Sequence, residues 1–374
     1  MVVQLQEVTT LRELRAFVRF PLRLYRGSPT YVPALIADEL NTLRWDRNPA
    51  FDVCEARYWL ARRDGRVVGR VAAIHHPGYA ERWGVDQMRF GWFDLVDDPE
   101  VADALLGAVE GWAREKGASA VHGPLGFTDL DREGLLVEGF EELGTLATSY
   151  NHPYYAAHLE ALGYAKDVDW VEYEIQAPDE PHPTIARIAD MVVRRYRLQP
   201  LRVEKKSELL VYAHEALQMV NEEYAHLYGV VPLTEAQVAG YVKQYFGFLD
   251  PTFTPGVLDE EGRLVGFGVT MPSLSRALQR SRGRLFPFGF VHLLRALRRN
   301  DRADLYLVAV RSDYQGKGVN ALMMHMMTEV FIERGIRVVE SNPELESNTD
   351  VQGQWKYYET RQHKRRRCYI KALS

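Results

Sequence analysis

The chain has 374 residues, of which 46% are hydrophobic and 26% are charged. This composition excludes a disordered or fibrous chain, and the length favours two domains over one. Two cysteines, Cys54 and Cys368, are too few for a disulfide framework or a zinc ribbon and fit a reducing cytosol. The first ten residues lack a signal-peptide pattern, and no apolar run reaches the roughly 20 residues that span a bilayer. We therefore expect a cytoplasmic protein.

The net charge of −5 hides an asymmetry between the two halves of the chain. Residues 1–177 contain 18 Lys and Arg against 28 Asp and Glu, whereas residues 178–374 contain 28 against 23. An anionic ligand such as a phosphorylated cofactor is therefore expected in the second half. Nucleic acid is not favoured, because the basic residues do not alternate with aromatic residues as in a base-stacking surface.

The predicted elements of the first half end at a proline-rich boundary. An Asp64-Gly65 turn joins two strands, and a further strand, a helix, a strand, a helix and a last strand are predicted over 90–95, 99–116, 120–124, 153–162 and 171–175. Three prolines then fall within residues 178–183, where neither a helix nor a central strand can continue. We therefore place one domain in residues 1–177 and a second in residues 178–374.

The second half repeats the order of the first. A hairpin over 258–269 precedes a strand, a helix, a strand, a helix and a strand, which are predicted over 304–310, 318–334, 338–341, 348–360 and 367–370. The repeated order indicates a duplicated architecture. The predicted fold class is α/β (α+β layers) in each half.

The most distinctive segment is a buried strand, a glycine-bearing loop and the start of a helix, over residues 305–322. Unpaired N–H groups at a helix start carry partial positive charge and suit a pyrophosphate. The loop reads Gln315, Gly316, Lys317, Gly318, Val319 and Asn320. Its glycines let an anion approach the backbone, and its lysine adds a formal charge. The spacing fits neither the P-loop nor the dinucleotide fingerprint.

This strand, loop and helix resemble motif A of the GNAT superfamily of acyl-CoA N-acyltransferases, whose pattern is Q/R-x-x-G-x-G/A. Gln315 and Gly318 match the pattern, and Asn320 departs from it. The resemblance implies two tandem GNAT-like domains, each a mixed, mostly antiparallel sheet flanked by helices. It also implies that acetyl-CoA or a longer acyl-CoA binds at residues 315–320 and along the backbone of Val308, Ala309 and Val310, without a metal.

The first half resembles the same fold with motif A degenerate. Its equivalent loop carries Asp97, Asp98 and Glu100, and three carboxylates at a helix start repel phosphate. We therefore expect this half to supply the acceptor side. The candidate residues for binding an amine acceptor lie in the long loop after residue 123 and in the late helix; they are Asp129, Asp131, Glu138, Tyr154 and Tyr155.

The resemblance implies direct attack of an amine on the thioester, with a late-helix tyrosine protonating the CoA thiolate. Trp355 stands in the usual tyrosine register and cannot act as an acid. Tyr358 is the preferred candidate because it lies three residues further on and near the same face, and Tyr357 is the alternative. A carboxylate is needed to deprotonate the amine. Glu340 is the main candidate base, with Glu344 and Glu346 as alternatives.

Residues 276–302 combine an uncharged aromatic run with flanking arginines. This pattern indicates either peripheral contact with anionic lipid headgroups at the inner face of the membrane or a helix packed in the core. The sequence therefore predicts an N-acyltransferase that uses acyl-CoA and a small-molecule or lipid-like amine. Two alternatives remain open: a membrane-associated enzyme that joins a long acyl chain to an amine such as a sphingoid base, and a non-catalytic acyl-CoA-binding module.

Overall fold

The computed structural model describes residues 2–246 and 249–373. The elements of its first half are β1 (Gln4–Glu7), α1 (Leu11–Leu24), α2 (Ile36–Thr42), β2 (Glu55–Arg63), β3 (Arg66–His75), α3 (Pro77–Trp83), β4 (Gln87–Leu95), α4 (Pro99–Lys116), β5 (Ala120–Gly123), β6 (Leu135–Glu138), α5 (Tyr154–Ala161) and β7 (Ala165–Gln176). The predicted hairpin, helices and strands of this half are therefore present, although the last strand, β7, begins six residues before the predicted residue 171.

The second half begins after the proline-rich segment. Its elements are α6 (Pro183–Tyr196), β8 (Gln199–Pro200), α7 (Lys206–Glu223), α8 (Glu235–Tyr245), β9 (Gly256–Leu258), β10 (Leu264–Pro272), α9 (Ser275–Ser281), α10 (Gly289–Arg298), β11 (Arg302–Val310), α11 (Val319–Arg334), β12 (Val338–Glu340), β13 (Glu344–Leu345), α12 (Thr349–Gln352) and β14 (Thr360–Ala372). In the described part of the chain, no helix is both long and apolar enough to cross a bilayer.

One continuous mixed sheet runs through both halves, in the order β1-β2-β3-β4-β5-β14-β7-β12-β11-β10-β9-β8. Most neighbours are antiparallel, but β4 and β5 are parallel and are joined through α4, and β11 and β12 are parallel and are joined through α11. The same hairpin, strand, helix and strand thus occur twice. The α/β fold class predicted from the sequence is confirmed.

The last strands of the two halves are exchanged. β14 pairs with β5 of the first half, where Tyr369 lies opposite Gly123, and β7 pairs with β12 of the second half, where Ile175 lies opposite Val339. β7 and β14 also pair with each other. Residues 1–177 and 178–374 are therefore joined by main-chain hydrogen bonds as well as by the linker, and the domain division itself stays a prediction.

Buried charges hold the exchanged strands together. The Glu172 carboxylate of β7 forms an ion pair with Lys364 (2.7 Å) and accepts a hydrogen bond from Arg366 (2.5 Å) of β14, and all three side chains are at most 1% exposed. Because a buried charge is costly unless it is paired, removal of either partner would leave an uncompensated charge. The two cationic neighbours keep the pKa of Glu172 low, at about 2, although burial alone would raise it.

Two sequence predictions need correction. The late helix predicted over 348–360 is only the four-residue α12 followed by a 3-10 turn at Gly353–Tyr357, because the chain enters β14 at Thr360. The alternative of a core helix for 276–302 holds only in part, because Leu278 and Leu293 are buried in the hydrophobic core but the segment is not one helix. Two helices, α9 and α10, are separated by residues 282–288, where Phe286 and Phe288 are exposed.

Candidate active site

A cavity of about 720 Å³ lies between the two halves. Its walls come from the segment after β5, from α10, β11 and α11, and from the loop between β12 and β14. The cavity thus joins the loop-and-helix motif of the second half to the acidic loop of the first half. Since ligand sites are mostly concave and apolar with a few polar groups, this cavity is the candidate active site.

The start of α11 provides one end of the site. Gly316 and Gly318 have φ angles of +70° and +88°. A Cβ at residue 318 would lie 2.7 Å from Val192, so both conformation and space require glycine there. The first turn of α11 leaves its N–H groups without intrahelical acceptors. The Lys317 ammonium lies 4.9 Å from the ring centre of Tyr314, and Val319 is buried against Gly266.

Asn320 is the residue of this loop that lines the cavity. Its side-chain oxygen is buried and has no hydrogen-bond partner among the described residues. A buried polar atom without a partner costs stability, so its retention beside a helix start favours a ligand at this position. Because an amide oxygen accepts hydrogen bonds, this atom suits a donor group of a ligand, and only the Nδ2 group of Asn320 could donate to an anion.

Strand β11 separates from its parallel neighbour after three residue pairs. β12 pairs with residues 302–304 only. Beyond this point, the Tyr224 hydroxyl donates to the Val308 carbonyl (2.9 Å) and accepts from the Val308 N–H (3.4 Å), and the Gln315 amide donates to the Val310 carbonyl (3.0 Å). Ala309 lies opposite Phe267 of β10. Side chains thus occupy main-chain groups of Val308 and Val310, two of the three residues predicted to bind the pantetheine arm.

The two candidate tyrosines have different surroundings. Tyr358 lines the cavity, and its hydroxyl lies 3.2 Å from that of Thr328. Burial raises its pKa, so the hydroxyl keeps its proton at neutral pH. Tyr357 packs against His182, with ring centres 5.3 Å apart, and does not line the cavity. The geometry therefore favours Tyr358 as the proton donor.

The three candidate bases are also distinguished by their neighbours. Glu344 lines the cavity, and its carboxylate accepts a hydrogen bond from Trp355 (3.0 Å). Burial raises the pKa of Glu344 to about 7, which suits a group that must accept a proton near neutral pH. Glu340 lies outside the lining and pairs with His363 (2.8 Å) and Lys364 (3.1 Å). Glu346 pairs with Lys166 and Arg365 instead.

Six carboxylates of the first half line the cavity, and three of them belong to the loop after β5. Burial raises the pKa of Asp129 and of Asp131 to about 6, and it raises the pKa of Glu133 well above its usual value. Asp131 also accepts hydrogen bonds from the N–H groups of Phe127 (2.8 Å) and Thr128 (3.2 Å). An ammonium group would restore the ionised form of these carboxylates and would be bound by them.

The other predicted acceptor residues lie elsewhere. Glu138 is exposed and 3.4 Å from Arg365. The hydroxyls of Tyr154 (2.7 Å) and Tyr155 (3.1 Å) donate to the carbonyl of Leu95, and neither residue lines the cavity. Sequence reasoning gave no role to Tyr224 and did not single out Glu133. Glu133 sits in the acidic loop that was recognised, whereas no local pattern marks Tyr224.

We predict that Asp129→Asn stabilises the folded protein at about pH 7.5. The raised pKa of Asp129 means that its ionised form is disfavoured in the folded state, so stability falls as the pH rises from about 4 through about 6. The variant removes this cost, on the order of 2 kcal/mol. Denaturant unfolding should show the gain above pH 7 and almost none near pH 4. An equal gain at both pH values would contradict the assignment, and Glu138→Gln is the exposed control.

Two groups of side chains outside the cavity have donor atoms at metal-binding distances: His122, Asp167 and Cys368, and Glu142, Glu174 and His363. The Tyr228 hydroxyl contacts all three members of the first group, and Arg361 pairs with both carboxylates of the second. Both groups are therefore already held by protein contacts. The expectation of a metal-free reaction stays a prediction.

Comparisons with known proteins identify the family. The model of the acetyltransferase (GNAT) family matches residues 214–361. Protein YghO of Escherichia coli K12 is 30% identical over 96% of this chain and 93% of its own, and a bacterial ceramide synthase of Caulobacter vibrioides is 27% identical over 98% and 96%. A tandem GNAT protein from the clavulanic acid biosynthesis pathway superposes with a TM-score of 0.58, at 12% identity, over 99% and 98% of the chains. This chain is a tandem member of the GNAT family of acyltransferases.

Proposed function

We propose that the protein transfers an acyl group from acyl-CoA to the nitrogen of an amine. The observation that carries this proposal is the cavity that is lined both by Asn320 at the α11 start and by the three carboxylates of the loop after β5. One end has the charge and geometry for a pyrophosphate, and the other has the charge for an ammonium group. In the first half, Asp98 caps the equivalent helix by accepting from the Glu100 N–H (3.0 Å), which supports a single acyl-CoA site.

The groups in the cavity suit direct aminolysis of the thioester. Glu344 accepts a proton from the bound ammonium, and the free amine attacks the thioester carbonyl. A C–N bond forms, the C–S bond breaks, and the Tyr358 hydroxyl protonates the leaving thiolate. The new amide nitrogen loses its second proton to solvent, and solvent reprotonates Tyr358. The acyl-amine and CoA are the products, and no covalent enzyme intermediate is required. The raised pKa of Glu344, about 7, and that of Tyr358 support these two roles.

Acyl-CoA must compete with the protein's own side chains for β11. The pantetheine arm can bond to Val308 only if the Tyr224 hydroxyl leaves both main-chain groups that it now contacts. Tyr224 directly follows α7, so a small movement of this helix end would release them. Substrate binding is therefore expected to move the end of α7.

The function is tested by incubating the purified protein with acyl-CoA and a panel of amines. Release of CoA is followed with a thiol reagent, and the product is identified by mass spectrometry. An N-acyl product that depends on both substrates supports the proposal. Tight acyl-CoA binding without turnover of any amine would instead identify a non-catalytic binding module.

We predict that Asn320→Asp weakens CoA binding at least about tenfold, because it places a carboxylate beside the pyrophosphate. The substitution is nearly isosteric, and an acidic residue in the first turn of a helix favours the helix, so α11 should remain folded. Asn320→Ala is the matched control and should weaken CoA binding less than Asn320→Asp does, by about 2- to 12-fold, since losing one neutral hydrogen bond costs about 0.5–1.5 kcal/mol. Calorimetry with CoA measures both. Unchanged affinity of Asn320→Asp for CoA would show that the pyrophosphate does not bind beside residue 320.

A long-chain acyl donor and a lipid-like amine, such as a sphingoid base, form the second candidate pair of substrates. Two observations favour it. Most of the cavity wall is apolar, including Leu217, Met271, Leu285, Phe290, Leu293 and Leu297, and a full-length relative is named a bacterial ceramide synthase. Palmitoyl-CoA with sphinganine should then give an N-acyl lipid faster than acetyl-CoA with a water-soluble diamine. The reverse preference would show that a small, water-soluble amine is the acceptor.

A further inference from the structure

The connection between β10 and β11, residues 273–300, exposes large apolar side chains. Phe286 and Phe288 are 77% and 73% exposed. On the following helix, α10, Val291 and Leu294 are each 49% exposed, and Phe290 is 40% exposed. Single exposed apolar residues need no explanation, but five within nine residues form a continuous patch of the kind that marks an interaction surface.

The same connection is strongly basic. It contains seven arginines and no acidic residue, although the whole chain has a net charge of −5. All seven arginines are exposed, and none forms an ion pair with any residue that the structure describes. They are Arg276, Arg280, Arg282, Arg284, Arg295, Arg298 and Arg299. Unpaired positive charge on both sides of an apolar patch is complementary to a surface that is anionic outside and apolar beneath.

The first half of the chain holds this connection in place. The Gln279 amide donates to the carbonyls of Pro29 (2.7 Å) and Tyr31 (3.1 Å), and the Gly283 carbonyl accepts from the N–H of Ile36 (2.9 Å). A Cβ at residue 283 would lie 2.1 Å from the Ala34 carbonyl, so the backbones are in close contact. The segment that carries the exposed aromatic side chains is therefore fixed to the first half of the chain.

The exposed patch lies at the active-site cavity. Phe290 and Leu294 are exposed on one side and line the cavity on the other, together with Leu293 and Leu297 of the same helix. α10 has ten residues and is too short to span a bilayer. An apolar molecule that leaves a lipid layer beneath α10 would therefore meet the cavity without crossing water.

We propose that residues 273–300 dock the protein on an anionic lipid bilayer, with Phe286 and Phe288 inserted among the acyl chains and the arginines at the headgroups. The cavity then opens toward the lipid. This inference goes beyond the acyl transfer proposed above and does not depend on it, because vesicle binding is measured without substrates.

Sedimentation with vesicles tests the docking. Full-length protein should sediment with phosphatidylcholine vesicles that contain phosphatidylglycerol, remain in solution with phosphatidylcholine alone, and be released at about 1 M salt, where the Debye length is about 3 Å. The double variant Phe286→Ser/Phe288→Ser should lower the partition coefficient at least about tenfold. Arg282→Gln/Arg284→Gln should lower it about 25-fold, since each basic residue contributes about fivefold. Val211→Ser, at an apolar site that is 75% exposed on α7, is the matched control.

Tryptophan fluorescence and enzyme turnover provide two further tests of the docking. Phe288→Trp should show a blue-shifted emission on addition of the anionic vesicles, and turnover of a short-chain acyl-CoA should be unchanged in the Phe286→Ser/Phe288→Ser protein, since neither residue lines the cavity. Absence of vesicle binding by the wild-type protein would overturn the proposal. Lipid-independent self-association that the double serine variant abolishes would also overturn it, by assigning the patch to a second copy of the chain.

Discussion

In the absence of lipid, Leu294→Glu is expected to abolish a preference for dodecanoyl-CoA over acetyl-CoA while leaving turnover of acetyl-CoA nearly unchanged. Leu294 lines the cavity on α10, where an acyl chain would replace water with apolar contact. Each buried methylene contributes ~0.8 kcal/mol, so five buried methylenes would give the wild-type enzyme a preference of about 10³. A carboxylate at this position would place a charge against the acyl chain, which disfavours binding of the longer donor.

Val291→Glu is the matched control for this experiment. Val291 lies on the same helix and is 49% exposed, as Leu294 is, but it does not line the cavity. The control should retain the chain-length preference, measured as the ratio of kcat/KM values for the two donors. Equal kcat/KM values in the wild-type enzyme would show that the acyl chain does not lie along α10.

Tyr358→Phe is expected to lower kcat about 10²-fold, because general acid catalysis typically contributes about 10²-fold or more. The variant keeps the aromatic ring and loses only the hydroxyl that lies 3.2 Å from Thr328. The affinity for CoA should be unchanged, since the hydroxyl acts on the thiolate that forms during the reaction.

Tyr357→Phe should behave like the wild-type enzyme in the same assay. Its ring packs on His182 outside the cavity, so its hydroxyl cannot reach the leaving group without a shift of the 3-10 turn at Gly353–Tyr357. A large loss of kcat in Tyr357→Phe, with little loss in Tyr358→Phe, would reverse the assignment. Comparable small losses in both would leave the thiolate to be protonated by water.

The strand, loop and helix of motif A could be predicted because their signals are local. A buried apolar run, two glycines with positive φ angles and a helix-forming, largely apolar segment that ends at Gly335 define β11 and α11 within about 30 residues. The order of the helices and strands in the two halves could likewise be predicted from the hydrophobic periodicity of the sequence. The family and the fold class follow from these local patterns and are confirmed.

The choice among Glu340, Glu344 and Glu346 could not be made from sequence. Glu340 ends β12 and the other two lie within the next six residues, and their roles differ because of residues that are distant along the chain. Glu340 and Glu346 are paired with cations of β14, whereas Glu344 contacts Trp355 at the cavity wall. Tyr224 is a similar case, since its contact with Val308 joins residues 84 positions apart.

The exchange of β7 and β14 has a consequence for synthesis of the protein on the ribosome. β5 has parallel β4 on one side, and among the described residues its other side is paired with residues 369–372, which are made about 250 residues after β5. Throughout translation of the second half, the first half therefore carries an open strand edge, which is prone to pair with other chains. Its completion also waits for a contact of very long sequence separation, which is slow to form. Premature termination shortly before residue 360 would remove β14, so the sheet would be divided between β5 and β7. Because both strands would then have an open edge, we expect such a fragment to aggregate.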